Sequence, residues 1–105
     1  MISNSPALTI ANRLVRLYPA EEAWLYGSQA RGDAGLDSDW DLLAVVNDSD
    51  LPGYQRARMA HEIVADIRGP KDIVVMTRAE RKRQENVVNT LPYLARKEGV
   101  LLQTK

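Results

Sequence analysis

The chain has 105 residues, and its 14 basic and 14 acidic side chains give a formal net charge of zero. This length suits a single domain spanning residues 1–105, and the balanced charge disfavours direct nucleic-acid binding. The absence of cysteine excludes a disulfide scaffold and a thiolate metal site. The start of the chain lacks a signal-peptide pattern and the longest apolar run, residues 42–46, is too short to cross a bilayer. We therefore expect a cytoplasmic protein without membrane association.

The first predicted element is a helix near the N-terminus. Ser5 is a suitable N-cap and Pro6 a suitable first helical residue. Pro19 ends the helix, because proline cannot continue the hydrogen-bonding ladder. Its buried face is predicted from apolar residues that recur at helical spacing, namely Ala7, Ile10, Ala11, Leu14 and Leu17.

A strand, a turn and a second strand follow. Residues 23–26 are apolar or aromatic and end abruptly at Gly27 and Ser28, which predicts a strand that enters a turn. Residues 31–38 are rich in small and acidic side chains, so we expect an irregular loop after a brief helical turn. Residues 40–46 are almost continuously apolar, as in a strand that is covered on both faces.

The second half of the chain alternates helices and strands. A helix over residues 54–67 is predicted from Ala57, Ala60, Ile63, Val64 and Ile67, with Gly69 and Pro70 after its end. Residues 73–76 form a second buried strand, and Thr77 with Glu80 forms a capping box for a polar helix that ends near Asn86. A short helix over residues 93–98 precedes a last strand, residues 100–103. This order predicts an α/β or α+β domain with a small sheet.

Two aspartates open the buried strand, although aspartate is depleted in strands. Asp39 and Asp41 are two residues apart, so both side chains point to one face with Cα atoms roughly 7 Å apart. Two such carboxylates repel each other, and a divalent cation such as Mg²⁺, which prefers oxygen ligands, removes the conflict. Asp72 begins the next buried strand and reaches the same cluster if the two strands are neighbours.

The turn at Gly27 and Ser28 has the character of an anion site. Backbone N–H groups point outward at such a turn, glycine lets a phosphate approach, and the serine hydroxyl adds a donor. A triphosphate beside a carboxylate-bound metal is the arrangement that phosphoryl transfer requires.

These residues together resemble a known signature. Gly27 and Ser28, followed after ten residues by Asp39 and Asp41, resemble the motif of the polymerase-β-type nucleotidyltransferase superfamily. Longer segments are similar to its minimal nucleotidyltransferase (MNT) subfamily, so the resemblance spans about residues 22–102. It implies a polymerase-β-like fold with a small mixed sheet flanked by helices. The segments are residues 27–35, 38–43 and 98–102.

The resemblance also implies roles for individual residues. The catalytic and metal-binding residues would be Asp39, Asp41 and Asp72, which in the family hold two Mg²⁺ ions. The nucleotide triphosphate would be bound by Gly27 and Ser28. Arg31 matches a recurrent family arginine, which either contacts phosphate or braces the loop.

The activity implied is Mg²⁺-dependent transfer of a nucleoside monophosphate, AMP from ATP, to a protein hydroxyl. Proteins that resemble this subfamily are often antitoxins that adenylylate a helical RNase toxin of the HEPN family, which implies a hetero-oligomer with such a toxin. Two alternatives stay open: an antitoxin that is catalytically weak or inactive and acts by binding alone, or nucleotidyl transfer to a small molecule.

Several residues have a simpler interpretation beside the functional one. Lys71 precedes Asp72 and offers a cation that would compete with metal for a carboxylate. His61, the only histidine, is expected at the surface or its boundary. The basic residues of the polar helix form either a solvated face or a docking surface for an acidic partner; they are Arg78, Arg81, Lys82 and Arg83.

Overall fold

The computed structural model describes residues 6–35 and 38–105, which form a four-stranded mixed sheet with helices packed against it. The predicted α/β class is confirmed. Ser5, the predicted N-cap of the first helix, lies outside the described residues. In chain order the elements are α1 (Pro6–Leu17), β1 (Ala20–Tyr26), α2 (Gly27–Arg31), β2 (Trp40–Val46), α3 (Gly53–Ile63), β3 (Lys71–Thr77), α4 (Arg78–Gln84), α5 (Leu91–Glu98) and β4 (Val100–Thr104).

The strand order across the sheet is β3-β2-β1-β4. β2 runs parallel to β3 and antiparallel to β1, and β1 is also antiparallel to β4. Because parallel strands need a crossover connection, α3 links β2 to β3. β2 and β1 are therefore the inner strands, and β3 lies at one edge of the sheet.

The two faces of β2 are covered by different helices. Leu42, Ala44 and Val46 belong to a core that also contains residues of α1 and α3. Leu43 and Val45 pack on the opposite face with Ala95 of α5 and with partly buried residues of the neighbouring strands. Burial on both faces explains why the strand is apolar at successive positions, and the predicted bounds of this strand are confirmed.

Two predictions need correction, the end of α3 and the burial of Leu17. α3 ends at Ile63 rather than at residue 67, although Val64 is fully buried and the Ile67 N–H donates to the Val64 carbonyl at 3.0 Å. The apolar pattern of residues 64–67 predicts burial correctly, but these residues form turns rather than a helix. Leu17 was expected in the core but is 66% exposed, because α1 ends at this residue and the chain turns towards β1.

A buried arginine ties α3 to the start of α4. The side chain of Arg56 donates to both carboxylate oxygens of Glu80, at 2.7 and 3.1 Å, and to the Val75 carbonyl at 2.9 Å. Glu80 also completes the predicted capping box with Thr77, which is confirmed. These bonds lower the pKa of Glu80 to about 2, chiefly through Arg56 and then through the Thr77 backbone.

None of the helices in residues 6–35 and 38–105 is long and apolar enough to cross a bilayer.

Candidate active site

The turn between β1 and α2 approaches the Asp41 carboxylate closely. Gly27 has φ of +74°, a conformation that favours glycine. A Cβ atom at this position would lie 2.5 Å from Asp41 Oδ2 and 3.3 Å from Asp41 Cγ. Two features therefore favour glycine here, the backbone conformation of the turn and the closeness of the Asp41 carboxylate.

The three predicted aspartates lie near the N-terminal ends of the parallel strands β2 and β3. Asp41 and Asp72 are register partners on the two parallel strands, so their Cα atoms lie about one strand spacing apart, roughly 4.8 Å. Asp39 precedes Asp41 by two residues, just before β2 begins. β2 and β3 are thus neighbours. The sequence predicts that Asp72 groups with the other two aspartates only under this condition.

The carboxylates influence one another electrostatically. Partial burial raises the pKa of Asp41, and the charges of Asp72 and Asp39 raise it further, while Arg31 opposes the shift. Tyr26, the β1 register partner of Asp41, has a pKa raised above its usual range by burial and then by Asp41 and Asp72. A cation at this place would relieve the repulsion.

The donor set suits a hard cation. Asp39 and Asp72 are exposed and Asp41 is half-buried, so all three offer carboxylate oxygens next to solvent. Mg²⁺ is commonly held by one or two carboxylates together with waters and substrate phosphates. Within residues 6–35 and 38–105, however, no three acidic, histidine or cysteine side chains converge into a metal site formed by protein alone. The residues fit a metal that is completed by substrate and water.

Arg31 braces the site from the side. Its guanidinium contacts Asp33 at 3.1 Å and Glu98 at 2.9 Å, which links α2 to the end of α5. α5 ends at Glu98, and a Cβ atom at the next residue, Gly99, would clash with the Ala95 carbonyl oxygen and lie 3.0 Å from that of Leu25. The bracing alternative for Arg31 is therefore observed, and its contact with a nucleotide stays a prediction.

The cation next to Asp72 points elsewhere. Lys71 Nζ donates to the Ile67 carbonyl at 2.6 Å, and consecutive residues of a strand face opposite sides of the sheet. Lys71 therefore does not pair with Asp72, whose carboxylate faces the side of Asp41.

His61 lies at the boundary of the surface, as predicted, and its Nε2 accepts a hydrogen bond from the Ile73 backbone N–H at 3.3 Å. The sequence does not predict this bond, because helical spacing does not show which strand a histidine contacts.

The basic helix is partly neutralised within the chain. Arg78 forms an ion pair with Glu21, and Arg81 forms one with Glu22. The Arg81 guanidinium also lies 5.3 Å from the ring centroid of Trp24. Half of the predicted basic surface is therefore used to attach α4 to β1, while Lys82 and Arg83 remain exposed.

The family match defines the class of protein as a nucleotidyltransferase. The sequence model for the nucleotidyltransferase domain matches residues 8–96, most of the chain. The chain belongs to this nucleotidyltransferase family, and the resemblance stated from its motifs is confirmed. No curated protein is significantly similar to it in sequence.

Solved structures share the fold. A protein assigned as a nucleotidyltransferase from Sulfolobus solfataricus is 27% identical with a TM-score of 0.68, and the match covers 95% of this chain and 78% of that one. A toxin–antitoxin structure with AMP-PNP is 15% identical with a TM-score of 0.56, covering 93% and 73%. A mutant of the toxin–antitoxin MntA-HpeT is 14% identical with a TM-score of 0.59, covering 92% and 72%. At these identities the last two show similarity of fold alone.

Proposed function

We propose that this nucleotidyltransferase transfers AMP from ATP to a protein hydroxyl, and that it acts as an MNT antitoxin on a helical toxin of the HEPN type. The observation that carries the chemistry is the position of Asp41, which lies against Gly27 on one side and in register with Asp72 on the other. Carboxylates that could bind metal therefore lie next to a turn suited to phosphate. The carboxylates belong to β2 and β3, and the turn follows the neighbouring strand β1.

The proposed reaction assigns a role to each residue. The acceptor oxygen forms a bond to the α-phosphorus of ATP, the bond from that phosphorus to pyrophosphate breaks, and pyrophosphate leaves. Asp39 and Asp41 would hold Mg²⁺, which when bound neutralises phosphate charge. Asp72 would complete the metal site and accept the hydroxyl proton. Gly27 and Ser28 would bind the triphosphate through backbone N–H groups and the serine hydroxyl.

The partner is proposed from two considerations. Two solved proteins with this fold are toxin–antitoxin structures, and one of them contains AMP-PNP, a nucleotide analogue. A tyrosine hydroxyl is a suitable acceptor, because its pKa of about 10 makes it easier to deprotonate than serine. The acceptor side chain would then come from the toxin in a hetero-oligomeric complex.

Mass spectrometry of the chain incubated with a candidate helical toxin, ATP and Mg²⁺ tests the proposal. We expect the toxin to gain one or more AMP units, and the gain to vanish in Asp39→Ala/Asp41→Ala. A matched control is Asp48→Ala/Asp50→Ala, which removes two exposed aspartates at the same spacing beyond the other end of β2. A toxin that is neutralised without modification would instead identify an antitoxin acting by binding alone. Modification of small hydroxylated molecules in place of the toxin would identify a small-molecule nucleotidyltransferase.

A further inference from the structure

A cleft of about 450 Å³ opens along the free edge of β3, between α3 and α4. We call it the edge cleft. Its base is formed by residues 72–76 of β3, so Asp72 belongs both to the carboxylate cluster and to the cleft. One wall includes Gly53 and Arg56, and the other includes Glu80, Arg83 and Gln84.

The strand order places the edge cleft opposite the Gly27–Ser28 turn, which we propose binds phosphate. Gly27 follows β1, Asp41 lies on β2, Asp72 lies on β3, and the cleft lies beyond β3. Two strand spacings, roughly 10 Å, therefore separate β1 from β3. In phosphoryl transfer the attacking and leaving oxygens lie roughly in line on opposite sides of the phosphorus. A leaving pyrophosphate at the turn after β1 requires the acceptor to approach from the β3 side.

Three outward backbone groups of β3 are already bonded to side chains. The Ile73 N–H donates to His61 Nε2 at 3.3 Å, and the Val75 carbonyl accepts from Arg56 Nη1 at 2.9 Å. The Thr77 N–H donates to Glu80 Oε1 at 2.8 Å. A peptide that added itself as a fifth strand would need these same groups. The edge cleft is therefore suited to an inserted side chain rather than to an added strand.

The lining of the edge cleft suits an aromatic side chain with a hydroxyl group, in a partner protein whose neighbouring residues are acidic. Ala57, Val74 and Met76 supply apolar surface, and the volume is within the range of small-ligand sites, about 300–1,000 Å³. The charge of Arg56 is compensated by its ion pair with Glu80. Arg83 is exposed on the wall formed by α4, so it contributes positive charge at the rim.

We infer that the edge cleft is the acceptor subsite and receives a tyrosine side chain of the partner protein, with Arg83 attracting acidic residues that flank the tyrosine. This inference rests on the proposed function. The phenol oxygen would reach the α-phosphorus past Asp72, whose carboxylate would take the proton as the new phosphorus–oxygen bond forms.

Synthetic peptides test the inference without knowledge of the natural partner. One carries a single tyrosine flanked by glutamates, a second replaces the tyrosine with phenylalanine, and a third replaces the glutamates with lysines. With ATP and Mg²⁺ we expect AMP on the glutamate-flanked tyrosine peptide and none on the phenylalanine peptide. Arg83→Glu should raise KM for the glutamate-flanked peptide about tenfold and favour the lysine-flanked one, because the rim charge is reversed. Gln84→Trp should reduce transfer to both tyrosine peptides by filling the cleft.

Lys82→Glu is the matched control, since Lys82 adjoins Arg83, is also exposed and lies outside the edge cleft. Its KM should change less than about twofold. Calorimetric binding of Mg·ATP should be the same in all variants, and thermal melting checks that each is folded. Unchanged KM in Arg83→Glu with intact Mg·ATP binding overturns the inference, even if Gln84→Trp fails to fold. A wild-type chain that binds Mg·ATP but modifies neither tyrosine peptide also overturns it, whereas failure to bind Mg·ATP refutes the proposed function itself.

Discussion

Replacement of Gly27 by alanine should separate the stability of the fold from the activity of the site. The new methyl group would stand 2.5 Å from Asp41 Oδ2, well inside van der Waals contact. That oxygen is the far end of a side chain, so the carboxylate can rotate away while the backbone stays in place. The variant should therefore fold, with Asp41 displaced from its position between Gly27 and Asp72.

The cost in stability has two parts. Alanine in the left-handed region costs roughly 1–2 kcal/mol, and Gly27 has φ of +74°. Forcing the Asp41 side chain off its preferred rotamer adds roughly 0.5–1.5 kcal/mol. Gly32 isolates the first part, because its φ is +85° and a Cβ atom there would meet nothing within 4 Å. Gly27→Ala should thus be about 1 kcal/mol less stable than Gly32→Ala, a difference of about 4 °C in Tm for a chain of this size.

Denaturant unfolding and AMP transfer should be measured on both variants. Displacement of a ligand by about 1 Å can cost about 100-fold in rate, so we expect a loss of that order in Gly27→Ala and much less in Gly32→Ala. In an Asp41→Ala background the contact is absent, and the stability cost of Gly27→Ala should fall to that of Gly32→Ala. Equal stability costs in the wild-type background, together with preserved transfer in Gly27→Ala, would refute this account of the turn.

Three further predictions concern the carboxylates and the buried ion pair. At neutral pH without metal, Asp41→Asn should melt at or above the wild-type temperature, because repulsion with Asp39 and Asp72 is relieved, and Mg·ATP should raise its melting temperature less than that of wild type. A lower melting temperature without metal, or an equal gain from Mg·ATP, would contradict this prediction in thermal scanning. Asp72→Asn should lower single-turnover transfer about 10²- to 10⁴-fold with a smaller loss of nucleotide affinity, and near-normal transfer would reduce Asp72 to a surface residue. The pKa of Glu80 is lowered from 4.5 to about 2, mainly by Arg56, so its stabilisation is present above pH 4.5 and is lost as pH falls towards 2. The full shift corresponds to roughly 3 kcal/mol, which we halve to about 1–2 kcal/mol because 36% of the Glu80 side chain is exposed. Glu80→Gln should remove this loss of stability from acid unfolding curves. An unchanged loss of stability in the variant would assign it to other groups.

Local patterns in the sequence determined several elements almost to the residue. The continuous apolar run of β2 predicted burial on both faces, and its bounds agree with the structure. The capping box of Thr77 and Glu80 could be predicted because both partners lie within one helical turn. The two-residue period of a strand predicts that Asp39 and Asp41 share one face, and this stays a prediction because β2 begins only at Trp40. The Gly27–Ser28 motif indicated the family that the comparison shows.

The tertiary structure decided which distant residues meet. Parallel pairing of β2 with β3 brings Asp72 beside Asp41 across 31 positions of the chain, and side-chain periodicity carries no information about strand neighbours. The pairing of Arg78 and Arg81 with glutamates of β1 likewise depends on how α4 packs, so part of an apparently free basic surface is used within the chain.

Arg56 shows the same division most clearly. Its position in the sequence of α3 suggested no buried role, because arginine is seldom buried unless it is paired. Only the packing of α3 and α4 around the edge of β3 supplies Glu80 and the Val75 carbonyl as partners, and Arg56 is 4% exposed as a result. Contacts between residues far apart in the chain are selected by the packing of whole elements, so the sequence determined the carboxylate motif and the tertiary structure decided the edge cleft beside it.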